Sequence, residues 1–308
     1  MALDVKFSLI GPGGEPIDLW RTLNSHGVAA LPPAKLDEAS RTLTVTLALP
    51  GFGPRTVSIA QSRDGHGIVT ADGTPPSDDE AALIIAGVRH LLRFDQNLAP
   101  FYALSATDPD LAWVATGAGR MTRCATVFED VVKTICTTNC NWGATVKMIS
   151  ALVEHLGEPV AGASATGPWG RTFPTPAAMA AADEAFYRDV VRAGYRGRYL
   201  QALARSVVDG AVDLERLSTV TPEELSDDDL AKHLLALPGV GPYAAAHIMM
   251  MIGRSSRPIF DSWTRPTYAR IVGRETVPDS EILARFQPYG AFAGLAFWLF
   301  ITRSWIAE

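Results

Sequence analysis

Apolar positions recur every second residue in parts of the first third of the chain, and every third or fourth residue in the remainder. Residues 41–49 (RTLTVTLAL) alternate and are β-branched, which predicts a half-buried strand, and 55–59 and 67–70 predict two more. Residues 11–14 (GPGG) read as a turn and 17–23 as a short helix, while 79–92 carry a helical stripe at Ala82, Ile85, Val88 and Leu92. From about residue 97 the period is almost wholly helical. A helix start is expected at 108–111, and helices over 124–138 (Val127, Val131, Ile135 inward) and 142–156 (Val146, Ile149, Leu152 inward). The Gly/Pro/Ser-rich stretch 159–176 is a loop, followed by amphipathic helices over 183–193 and 198–208. Thr221, Pro222 and Glu224 read as a capping box with proline at the first helical position. Ser226 and the three aspartates after it cap a helix that buries Leu230, Leu234 and Leu237; Pro242 opens the next, with Ala245, Ile248, Met249 and Ile252 inward. Residues 288–303 predict a long closing helix. The pattern divides the chain into an α+β N-terminal domain (1–95) and an all-α domain (96–308).

Composition agrees with a folded chain of about two domains: 308 residues, 47% hydrophobic and 19% charged. No apolar run reaches the roughly 18 residues of a membrane span, and 295–301 (LAFWLFI) reads as a core helix. The N-terminus lacks the basic start and apolar core of a signal peptide, so a cytoplasmic protein without membrane contact is expected. Three cysteines, Cys124, Cys136 and Cys140, make no disulfide framework and fall short of the four thiolates of a cubane cluster. The six histidines show no ligand-like pair, so no protein-held catalytic metal is expected. A net charge of −6 weighs against binding nucleic acid by bulk charge. The arginines nevertheless gather in two groups, Arg192, Arg196, Arg198 and Arg205, then Arg254, Arg257, Arg265, Arg270 and Arg274. They form either a solvated surface or a DNA face, and their position on both sides of residues 237–241 favours the second.

Gly239-Val240-Gly241 lies between two helical patterns, where glycine permits a tight turn and close backbone approach. The helix that starts at Pro242 would leave free N–H groups facing outward, an arrangement that suits a phosphate. Asp261 follows twenty residues past Gly241. Leu237, Pro238, Gly239, Val240, Gly241, Ala245 and Asp261 together resemble the hairpin and downstream carboxylate of the helix-hairpin-helix DNA glycosylase superfamily, which excises damaged bases. The resemblance implies a small antiparallel-sheet domain ahead of the helical one, and gives Asp261 the catalytic role. Asp261 reads otherwise as a helix cap. Pro266 places the start of the following helix near Thr264.

Residues 135–141 (ICTTNCN) are similar to the ICSSNNN segment of 8-oxoguanine glycosylases, in which the first Asn fills the gap left by a flipped nucleotide; Asn139 and Asn141 match the first and third Asn. Residues 194–199 (GYRGRY) are similar to that branch's GYRARY, so Tyr195 would wedge beside the orphaned base and Arg196 would hydrogen-bond it. Asn139 reads equally as a helix C-cap and Tyr195 as a packed loop aromatic. The branch's second arginine, which reads the opposite cytosine, falls near Ala144 and is missing. Lyases of the superfamily carry a lysine two residues past the last hairpin glycine, where this chain has Tyr243, and tyrosine forms no Schiff base. Tyr243 either packs or lines the base pocket, for which Trp263, Tyr268, Tyr289 and Trp298 are further candidates.

The resemblance therefore implies a monofunctional glycosylase that acts as a monomer on double-stranded DNA holding a damaged purine, with alkylated purines ahead of 8-oxoguanine. It needs no cofactor, no iron–sulfur cluster, and at most a monovalent cation at the hairpin. A non-catalytic hairpin module that only binds DNA, and a lyase with a relocated amine, are the alternatives.

Overall fold

The computed structural model describes residues 3–305; Met1 and Ala2, part of the N-terminus read above, lie outside them. In chain order the elements are β1 (Leu3–Phe7), α1 (Leu19–Leu23), β2 (Lys35–Asp37), β3 (Thr42–Leu47), β4 (Arg55–Gln61), β5 (Gly67–Ala71) and α2 (Asp78–Leu91). Then follow α3 (Ala99–Ser105), α4 (Val127–Thr137), α5 (Trp142–Leu156), α6 (Pro176–Ala181), α7 (Arg196–Val208), α8 (Asp227–Leu235) and α9 (Pro242–Met251). The chain closes with α10 (Thr264–Ile271), α11 (Asp279–Phe286) and α12 (Ala293–Thr302).

The strands form one antiparallel sheet in the order β1-β5-β4-β3-β2. Alternation in β3 lines Leu43 up with Ile59 and Val69, and Val45 with Val57 and Ala71, as rows on one face. The opposite face carries Thr44 bonded to Ser58 and Thr46 bonded to Thr56. Helix α2 covers the apolar rows, but in a different phase from the one expected. Ile84, Val88, Leu91 and Leu92 are buried, whereas Ala82 is exposed and Ile85 half-buried. Gly87 sets the phase: a Cβ there would lie 3.2 Å from Leu47 Cδ1, so the face that includes Gly87 turns toward the sheet.

Two apolar clusters build the helical part. One surrounds α4 and takes in α5, α7, α8 and one side of α9; the other joins α3, α10, α11 and α12 around Phe101, Phe286, Phe297 and Phe300. Helix α9 lies between them. Ala244, Ala245, Ile248, Met249 and Met251 enter the first cluster, Ala246 and Met250 the second. A helix apolar all round is one that is buried all round.

Several expected elements differ. The 221–224 capping box does close, with Thr221 N donating to Glu224 (2.9 Å) and Glu224 N to Thr221 Oγ1 (3.4 Å), but it holds a single turn before α8 rather than a helix. The long closing helix is broken at Gly290, whose φ of 54° ends one helical run before α12 begins. The 183–193 helix is shorter and contains a π-helical turn at Phe186–Val190. Residues on both sides of the boundary at residue 95 mix, since Val28 and Leu31 pack into the first helical cluster.

A buried ionic column joins the two parts. Glu15 accepts from Arg120 Nη2 (2.5 Å), Leu98 N (3.0 Å) and Gly13 N (2.8 Å). Arg120 Nη1 donates to the carbonyl of Arg93 (2.5 Å), and the Arg93 guanidinium donates to Met251 O at the end of α9. A cation there suits the negative end of the helix dipole. Removing one partner of a buried pair leaves the other charge uncompensated, so Glu15→Ala should cost about 3–5 kcal/mol of unfolding free energy, read from the urea unfolding midpoint.

Candidate active site

The hairpin turn between α8 and α9 is built as its sequence implies. Gly239 has φ +80°, and a Cβ there would lie 3.0 Å from Tyr199 Cβ, so the turn and its packing both need glycine. Gly241 is the N-cap of α9 in extended conformation; it offers no capping side chain, and nothing lies near the place its Cβ would take. Backbone N–H groups at the start of α9 are thus left to an outside acceptor. Beside the turn opens a cleft of about 1400 Å³.

Asp261 stands on this cleft. Its Oδ1 accepts from Trp263 N (2.8 Å) and Thr264 N (2.6 Å), and its own N–H donates to Thr264 Oγ1 (2.9 Å). One carboxylate oxygen therefore caps α10, which begins at Thr264 as expected, with Pro266 in the first turn where its missing N–H costs nothing. No hydrogen bond engages Oδ2 among the described residues. Tyr243 lines the same cleft, and its hydroxyl lies 3.3 Å from Thr137 Oγ1. Burial first, and the negative charge of Asp261 after it, hold the Tyr243 phenol above its ordinary pKa, so it stays protonated at neutral pH.

The cleft wall is aromatic. Trp263 meets Trp298 at 6.0 Å and Trp305 at 5.4 Å between ring centroids, and Trp298 meets Trp305 at 5.6 Å. His247, one turn after Tyr243 on α9, faces Tyr243 (5.8 Å), Trp298 (6.3 Å) and His26 (5.8 Å). Burial lowers the His26 and His247 imidazoles to about 4 and about 3 respectively, so both are neutral at pH 7. Asp261 is then the one charged side chain among the residues lining the cleft.

The two loop motifs meet at the cleft mouth. Asn139 adopts φ +49° just past the end of α4, and its Nδ2 donates to the exposed Tyr195 hydroxyl (3.0 Å). Asn139 thus holds the helix-end position and the cleft position together. Asn141 caps α5 by accepting from Ala144 N (2.9 Å). Arg196 is placed differently from the expectation that it reaches a base. It is buried, donates to the carbonyls of Thr138 and Ala193, and stacks its guanidinium 4.7 Å from the Tyr195 ring centroid. Its work in this structure is to tie the 194–199 loop to the 135–141 segment.

Two further expectations need correction. Tyr268 and Tyr289 are not in the cleft but buried in the second cluster: Tyr268 packs against Phe286, Phe297 and Phe300 on the inner face of α10 with Thr264, Thr267 and Ala269, and the Tyr289 hydroxyl donates to Asp108 Oδ2 (2.8 Å). The second arginine group is largely spoken for: Arg254 pairs with Asp227, Arg257 with Asp228, Arg265 with Asp279 and Arg274 with Glu281. The acidic N-terminal turns of α8 and α11 supply the carboxylates.

Sequence reasoning missed His247, His26, Trp305 and Trp142, all on the cleft. His247 was findable, since it lies four residues past Tyr243 on one helical face. Trp305 lies seven past Trp298, again two turns along. His26 had no local signal. The three cysteines are free, and no group of three or more His, Cys, Asp or Glu that could hold a metal occurs among the described residues. No helix among those residues is long and apolar enough to cross a membrane.

The sequence matches no protein-family model and no curated protein. Its fold does match solved structures. Against the 8-oxoguanine glycosylase/lyase of Clostridium acetobutylicum the TM-score is 0.72, with 19% identity over 98% of this chain and 98% of that one. The same enzyme with double-stranded DNA containing cytosine opposite 8-oxoguanine gives a TM-score of 0.69 and 18% identity, over 98% of this chain and 97% of that one. Against the 3-methyladenine DNA-glycosylase of Archaeoglobus fulgidus the TM-score is 0.69 and the identity 17%, over 99% of this chain and 100% of that one. The chain has the fold of these DNA glycosylases from the N-terminal sheet through the hairpin to α12.

The buried imidazoles make stability depend on pH. His26, His247 and His90 (also lowered to about 4, mainly by burial) titrate lower in the folded chain than the ordinary 6.5. The unfolded chain therefore takes up more protons as pH falls from about 6.5 to 4, and stability falls with it. Asp130, raised to about 6 by burial, acts in the opposite sense over the same window, but three groups outweigh one. The melting temperature should drop between pH 7 and pH 4.5, and drop less in His247→Phe, as calorimetry at the two pH values would show.

Proposed function

We propose that this chain is a monofunctional DNA glycosylase that hydrolyses the N-glycosidic bond of a damaged purine flipped out of duplex DNA, with alkylated purines preferred. The observation that carries the proposal is the cleft itself, which one carboxylate, Asp261, lines together with aromatic rings and with Tyr243, the residue at the sequence position where the lyases of the superfamily carry their amine. Cleaving the bond to the base leaves positive charge on the sugar, and a fixed carboxylate stabilises that charge and orients or deprotonates the attacking water. Tyr243 supplies no amine, and no lysine lines the cleft, so water is the nucleophile and the product an intact strand with an abasic site. Aromatic faces attract a cationic alkylated base by cation–π interaction, and a single negative charge nearby adds to this. Asn139 and Tyr195, bonded to each other and exposed at the mouth, are suited to fill the space of the extruded nucleotide and offset the few kcal/mol of unstacking. The hairpin N–H groups would grip the backbone, and the chain would act as a monomer without a cofactor.

An 8-oxoguanine glycosylase is the second reading, favoured by the segments 135–141 and 194–199, similar to that branch, which meet through the Asn139–Tyr195 hydrogen bond. A panel of duplexes carrying different damaged bases, assayed for abasic sites with and without alkali, separates the two and tests the enzyme reading against a purely DNA-binding hairpin. Alkylated purines should be released, with strand breaks appearing only after alkali; release of no base from any duplex would sink the proposal. Asp261→Asn should slow single-turnover base release by at least about 100-fold while duplex binding survives. Borohydride should trap no covalent DNA complex with the wild type, and a trapped complex would overturn the monofunctional assignment.

A further inference from the structure

Trp142 opens α5 at the cleft and remains 49% exposed. Single exposed apolar side chains are ordinary on a protein surface, but Trp142, Tyr195, Leu235, Trp263 and Trp305 are all large, all exposed and all on one cleft. Trp263, Trp298 and Trp305 pack on one another, and Trp142 pairs with none of them among the described residues. It belongs instead with the 135–141 segment, one residue past Asn141 and three past Asn139. Its ring is held by the backbone of residue 27, since a Cβ on Gly27 would lie 3.0 Å from Trp142 Cη2. Its own backbone is held as well, by Ala144 N donating to Asn141 Oδ1 (2.9 Å) and Thr145 Oγ1 donating to the carbonyl of Cys136 (3.0 Å). An indole fixed in this way loses little freedom when a flat partner covers its open side.

The polar groups near Trp142 are largely engaged. Arg196 is buried on the carbonyls of Thr138 and Ala193, Asn141 caps α5, Asn139 Nδ2 donates to the Tyr195 hydroxyl, and residue 144 is an alanine. What this side of the cleft offers a base is chiefly the face of a ring, and every base has a face to stack. We infer that Trp142 stacks on the base left unpaired in the opposite strand when the damaged nucleotide leaves the helix, so that this base is held by its face rather than read by its edge. The inference rests on the glycosylase reading and deepens it. Asn139 and Tyr195 fill the gap, the rings near Asp261 take the extruded base, and the ring beside the gap-filling segment takes the base that stays behind. A damaged base is then accepted opposite any of the four bases.

Binding is read with duplexes in which a tetrahydrofuran residue, an abasic-site analogue, stands opposite each of the four bases, so that no pairing of the lesion enters. Wild-type dissociation constants should agree within about 10-fold across the four, roughly one hydrogen bond's worth of discrimination. A wider spread means that the edge is read and overturns the inference. With 2-aminopurine as the opposite base, stacking becomes visible, because an aromatic neighbour quenches its fluorescence. The wild type should quench it. Trp142→Ala should lose that quenching and bind all four duplexes about 10-fold more weakly, and Trp142→Phe, which keeps a ring face, should recover most of both. Quenching that is unchanged in Trp142→Ala, or that depends on Trp142 only when the 2-aminopurine sits one pair to either side, overturns the inference. Melting curves check that each variant is folded. A protein that releases a damaged base but fails the quenching test loses this inference alone, whereas one that releases no base and binds the tetrahydrofuran duplexes no better than an intact duplex loses both.

Discussion

Burial of α9 between two apolar clusters sets the geometry of both halves of the candidate site. The start of this helix leaves the hairpin N–H groups outward, and its next turn carries Tyr243 and His247 into the cleft. Its C-terminal end is held by Arg93, which is held in turn by Arg120 and Glu15. A helix fixed on all sides and at its end cannot rotate to compensate for a change in one wall. The distance between the hairpin turn and the cleft wall is therefore set by core packing rather than by the loops that carry the recognisable motifs.

Charge is managed locally. The chain is acidic overall, and four arginines near the hairpin already face carboxylates of α8 and α11. Arg196 and Arg93, which sequence position alone would leave free, are spent on backbone carbonyls. What faces the cleft is mostly neutral: hydroxyls, amides, indoles and uncharged imidazoles, with Asp261 the exception. The DNA interface proposed for it would owe more to shape and to backbone N–H groups than to a field of positive charge.

Much of this was legible in the chain. The central strands alternate cleanly, and the hairpin and Asp261 are defined by short fixed spacings. β1 and β2 were not legible: the first is an edge strand with Asp4 and Lys6 in its middle, and the second has only three residues. The phase of α2 depended on Gly87 meeting Leu47, a contact between segments that no local period reports. Gly290 stood in view within the closing helix, yet only its positive φ shows that it ends a run. At the site, Tyr268 and Trp263 looked equivalent as aromatics near Asp261; the rotation of α10 sends one into the core and leaves the other in the cleft. His26 reaches the pocket through Thr122, 96 residues away, and pairings of that span leave no trace in periodicity.

Asp261 holds one more consequence. Its Oδ1 is pinned by two N–H groups of the α10 start while Thr264 Oγ1 holds its backbone in return. The two bonds restrict the carboxylate's rotation, so the direction of its free oxygen is set by the start of the helix. The same bonds tie the carboxylate's placement to one helical turn: should that turn fray, the carboxylate swings loose while the rest of the protein stays folded. On the role proposed for Asp261, the lifetime of a competent site would be the lifetime of a single turn, a local event whose free energy lies below that of global unfolding.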